Sequence, residues 1–137
     1  MNIRRISFTG VLLVAATALW AGVASAHHSF AMFDFSKDVT LLGVIKEFRW
    51  INPHIHILIE TPDGKGGIQV WDIEGQTPNT LRPQGWSSTT LQPGDKVSLV
   101  VHPLKSGAFG ASLVRALRPD GSPVVAARPA PAPRPGV

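Results

Sequence analysis

The sequence predicts an all-β domain, a small five-stranded barrel of the OB type with one short helix between strands 3 and 4. Three observations lead there. Five short segments rich in branched and aromatic residues are parted by clusters of Gly, Pro, Asn and Asp. One of them alternates strictly between isoleucine and other residues. The helix-like segment falls between the third and fourth of them, which is the element order of an OB barrel. A five- or six-stranded sandwich is the alternative architecture.

The elements follow in order. Val39–Trp50 is the first strand, with Gly43 where a long strand can bend. Asn52-Pro53 is a turn. In the strand His54–Thr61, Ile55, Ile57 and Ile59 face one way and His54, His56, Leu58 and Glu60 the other. Pro62–Gly67 makes a hairpin turn into the third strand, Ile68–Glu74. Thr80–Gly85 is the expected helix, with Pro78 near its start. Gln92-Pro93-Gly94-Asp95 turns into the fourth strand, Lys96–His102, with Val97, Leu99 and Val101 inward. Ser106–Gly110 leads to the fifth, Ala111–Leu117. Trp50, Trp71 and Trp86 are expected to pack the barrel and its helical plug, and the apolar stretch Phe30–Phe35 to lie along it.

The two ends read differently. Arg4 and Arg5 precede a run of 16 uncharged residues, Phe8 to Val23, and then Ala24-Ser25-Ala26. That order is a secretory signal peptide over residues 1–26, and the run is short of the ~20 residues that span a bilayer. The expected mature protein starts near His27, is periplasmic and is not an integral membrane protein. Residues 122–137, with Pro-Ala-Pro-Ala-Pro-Arg-Pro, read as a disordered tail. The barrel is thus expected over residues 27–121. That stretch holds nine basic and nine acidic residues, so the overall excess of +4 belongs to the ends. The domain has no electrostatic footprint for nucleic acid. With no cysteine, thiolate metal sites and a cysteine nucleophile are excluded.

No nucleophile motif or phosphate-binding glycine loop is present. Asp72 and Glu74 share one strand face and read as solvated charges. Histidine is the informative residue: His27, His28, His54, His56 and His102 all lie outside the signal and the tail. In an OB barrel the first and fourth inter-strand loops lie on one ligand-binding side. His54 leaves the first and His102 enters the second, so they are expected to approach one another, with His56 one pleat away. Imidazole suits Cu(II), Zn or Ni. Cleavage after Ala26 would give His27 a free α-amine, able to chelate Cu(II) with its own imidazole. Cleavage before Ala26 would place His28 third, suited to a square-planar amine–amide–imidazole site. Trp50 and Asn52, beside the first loop, are candidates to line a ligand pocket.

His27-His28-Ser29-Phe30-Ala31-Met32-Phe33-Asp34, Asn52-Pro53-His54, Trp71-Asp72-Ile73-Glu74-Gly75, Pro78-Asn79, Gly85-Trp86, Leu91-Gln92-Pro93-Gly94-Asp95 and His102-Pro103-Leu104 occur in this order. The set resembles a family of short exported proteobacterial proteins classed as a domain of unknown function. The resemblance covers about residues 27–121 and implies export and a small β-barrel. It brings no catalytic residues.

The functional expectation is an exported, non-catalytic binding domain whose histidines take copper. Two alternatives stand beside it. One is a structural module of the envelope that binds protein or glycan through the barrel face. The other is a copper-dependent oxidoreductase, for which a domain of this size leaves little room for a substrate cleft.

Overall fold

The computed structural model describes residues 31–125. The expected signal peptide, His27, His28, Phe30 and the tail beyond residue 125 lie outside the described residues. The barrel lies in the compact unit that begins at Phe33. Its elements are β1 (Val39–Arg49), β2 (His56–Pro62), β3 (Ile68–Glu74), α1 (Pro78–Leu81), β4 (Lys96–Pro103) and β5 (Gly110–Leu117). A single 3-10 turn, Arg82–Gln84, continues α1. The strands close into a barrel in the order β1-β2-β3-β5-β4, so both the five-stranded barrel and the short helix between β3 and β4 are present.

One strand makes the closure. Residues Val39–Val44 of β1 pair antiparallel with β4, and Val44–Arg49 pair with β2. Gly43 stands at the crossover, and a Cβ there would overlap the carbonyl oxygen of Glu60. Only glycine lets the two backbones approach so closely. A bulge between Ile45 and Glu47 adds to the bend. β3 and β5 pair in parallel over Asp72–Glu74 and Gly110–Ser112 alone, which leaves the first half of β3 without a partner on that side.

The interior follows from the alternation in β2. Ile55, Ile57 and Ile59 are fully buried, as are Ile73, Leu99 and Val101 from the facing strands. Each such side chain stabilises the fold by ~1.5–3 kcal/mol relative to leaving it in water. Leu81 of α1 is buried in the same cluster, and Phe48, Trp50, Trp71 and Trp86 are half-buried against it. Phe33 is buried and bridges to Leu104, whereas Phe35 is half exposed with its ring 5.0 Å from that of His102.

The helix starts earlier than Thr80. Thr77 caps it, its hydroxyl accepting from the Thr80 N–H at 3.2 Å, and Pro78 takes the first position. Gly85 ends the 3-10 turn at φ 95°, in the left-handed region. The packed chain also runs past Gly121. Pro123 bridges to Leu117 and Val124 is buried in the core, with its N–H donating to Ala116 O.

Candidate functional site

The outer surface of β1, β2 and β3 carries a polar face. Because Ile57 and Ile73 point inward, their neighbours His56, Asp72 and Glu74 must point outward. Register then sets the neighbours: Arg49 of β1 stands beside His56 of β2, and His56 beside Glu74 of β3.

Each described histidine has its Nδ1 held by an oxygen. His54 Nδ1 lies 3.0 Å from Gly75 O and 3.5 Å from Glu74 Oε1. His56 Nδ1 lies 2.8 Å from Asp72 Oδ1. His102 Nδ1 lies 3.0 Å from Lys37 O and 3.2 Å from Asp38 Oδ1. A carbonyl or carboxylate oxygen only accepts, so Nδ1 carries the hydrogen in all three rings. In the neutral ring that leaves Nε2 with its lone pair free, and no hydrogen-bond partner meets it among the described residues. This is how ligand histidines are oriented in metal sites, with an oxygen behind the ring fixing the tautomer.

His54 and His56 form a pair. They sit two residues apart on one face, and Glu74 touches the first and neighbours the second in register. Around them the carboxylates Glu47, Asp72, Glu74 and Glu60 outnumber the cations Arg49 and Lys46, so the patch has an excess of negative charge. Arg49 is committed to Glu47 by two hydrogen bonds, at 2.8 and 2.9 Å. That pairing holds the Glu47 carboxyl below its ordinary value and lifts the guanidinium above its own, with Asp72 adding to the latter.

His102 is not part of the pair. The cross-strand row runs His56, Glu74, Ser112, His102 over β2, β3, β5 and β4. Three strand spacings separate its ends, roughly 14 Å along the barrel wall. Among the described residues no group of three or more histidines and carboxylates is arranged to hold a metal ion.

The pocket candidates are placed as follows. Trp50 packs edge-on to Phe48, ring centres 6.0 Å apart, and against the core. Asn52 is exposed in the loop and precedes a cis peptide bond to Pro53. Neither lines the larger hollow beside Leu42 and Ile68 or the smaller one beside Trp86 and Val114.

Sequence reasoning missed the oxygens behind the histidines. Asp72 and Glu74 were legible as charges on one face but not as partners of His56 and His54. The hairpin held the signal: His56 and Glu74 stand equally far from the centre of the turn. Counting outward from that turn places them side by side.

No helix among the described residues is long and apolar enough to cross a membrane. A family model, described as a family of unknown function (DUF6152), matches residues 14–112. No curated protein matches the chain. Among solved structures, the barrel is similar to the crystal structure of the mitochondrial single-stranded DNA binding protein Rim1 from S. cerevisiae. The identity is 11% and the TM-score 0.45, over 58% of this chain and 90% of that one.

Proposed function

The chain belongs to the family of unknown function DUF6152, and we propose that its barrel is a non-catalytic binding domain that works outside the cytoplasm and takes copper on its histidine face. Export rests on residues 1–26, with their two arginines, uncharged run and Ala-Ser-Ala end.

The observation that carries the copper reading is the shared posture of His54 and His56. Each ring has its Nδ1 tied to an oxygen, which leaves Nε2 as the nitrogen a metal would take. Two imidazole nitrogens within one negatively charged patch suit Cu(II), whose remaining positions water can fill. His27 and His28 bring an amine and imidazole chelate of their own. A binding role is favoured over catalysis because the described face has acceptors and imidazoles but no nucleophile beside a base.

Calorimetric titration of the tag-free exported protein with Cu(II) tests this reading. The wild type is expected to bind at two loci. Blocking the terminal amine removes one, and His54→Ala with His56→Ala removes the other. Identical titrations for the double variant and the wild type would refute the strand site.

A further inference from the structure

A second feature of the wall lies away from the histidines. Where β1 leaves β4 and joins β2, the surface folds into an open groove of about 480 Å³. Gly43 lines it at the bend, where a Cβ would run into Glu60 of β2. Leu42, Val44, Pro62, Ile68 and Pro119 make most of its lining apolar, and Glu60, whose charge Lys46 offsets, and Ser98 complete its polar edge. Leu42 and Ile68 are 67% and 70% exposed. Single exposed aliphatics are ordinary on a protein surface, but here two flank one hollow.

Size argues for a small occupant. The hollow lies within the roughly 300–1,000 Å³ of small-molecule sites. It is not the broad face of ~800 Å² per partner that a stable protein complex buries.

Two donors in the lining have no partner. Lys96 is exposed at the groove and forms no ion pair among the described residues, whereas nearby Lys46 is held by Glu60 at 3.5 Å. Thr61 is 5% exposed, and its hydroxyl has no hydrogen-bond partner. That hydroxyl has no surface a ligand could reach, so the free cation is what complements an alkyl chain that ends in a carboxylate.

We propose that this groove binds a free single-chain carboxylate amphiphile. The chain lies against Leu42, Val44 and Ile68. The carboxylate accepts from the Lys96 ammonium. This site does not depend on the copper reading, since no groove residue is one of the histidines or supplies an oxygen that holds them.

The test is titration of the full exported protein with dodecanoate below its micelle threshold, followed by calorimetry and amide NMR. Saturable binding is expected, with shifts at Gly43, Ile68 and Ser98. Decanoate, two methylenes shorter, is expected to bind about fifteenfold more weakly. Lys96→Glu is expected to weaken dodecanoate about tenfold or more and leave dodecanol unchanged. Leu42→Ser with Ile68→Ser, both exposed and so tolerated by the fold, weakens both ligands. Equal affinity for the two chain lengths, shifts confined to other surfaces, or binding to phosphatidylglycerol vesicles without binding of free dodecanoate would each overturn the proposal.

Discussion

Replacing Gly43 by alanine tests the construction of the barrel at its tightest point. The added methyl would overlap the carbonyl oxygen of Glu60 and lie 2.9 Å from Ile59 Cγ1 and 3.0 Å from Glu60 C. The main obstacle is backbone, not the end of a flexible side chain. β2 cannot retreat freely, because it pairs with β1 on one side and β3 on the other. Alanine in a strand ordinarily gains ~0.5–1 kcal/mol over glycine. Against that stand ~1–3 kcal/mol for overpacking and about 1 kcal/mol for a weakened ladder hydrogen bond. The overpacking side wins, for a net loss of ~2 kcal/mol. Urea unfolding followed by tryptophan fluorescence reads it. With a slope of ~1 kcal/mol/M, expected for a small domain, the midpoint falls by about 2 M. An unchanged or higher midpoint at unchanged slope would refute the close approach of β1 and β2 at Gly43.

Three further outcomes are expected. Thr61→Val removes a buried hydroxyl without a partner and is expected to raise the stability of the ligand-free protein by ~1 kcal/mol, read by the same urea unfolding. Asp34 is held down to about 2, first by the Ser36 hydroxyl and then by Lys37. Because its folded value is depressed, its contribution to stability is complete above its ordinary value of 3.8 and is lost as pH falls toward about 2. A carboxyl carbon NMR titration reads that midpoint, and Asp34→Asn should flatten stability across the same window. Long-range nitrogen–proton NMR of the imidazoles at neutral pH is expected to show the hydrogen on Nδ1 of His54, His56 and His102. A hydrogen on Nε2 with none on Nδ1, in any of them, would contradict its hydrogen-bonding pattern.

Much of the barrel was legible in the sequence because alternation and turn residues act locally. Ile55, Ile57 and Ile59 announced the inner face of β2, and Pro62–Gly67 fixed the hairpin to β3. Gly43 marked the bend of β1. What stayed hidden depends on contacts between distant segments. The parallel pairing of β3 with β5 has no local signature. Val124 belongs to the core, although it follows Asp120-Gly121-Ser122-Pro123, whose composition reads as a tail. The same holds for function. The histidines were visible as residues, but their posture arises from oxygens that β3 and the segment before β1 bring behind them. The curvature of the barrel, which no periodicity encodes, sets His102 apart from the His54 and His56 pair and opens the groove beside Gly43.

The copper reading turns on which atoms meet the metal. Pulsed electron paramagnetic resonance of the protein with its terminal amine blocked, loaded with one equivalent of Cu(II), measures this directly. The account predicts two coordinated imidazoles bound through Nε2, with the remote Nδ1–H nitrogens in the spectrum and both lost in the His54→Ala, His56→Ala variant. A spectrum without imidazole nitrogen, or one unchanged in that variant, would contradict it.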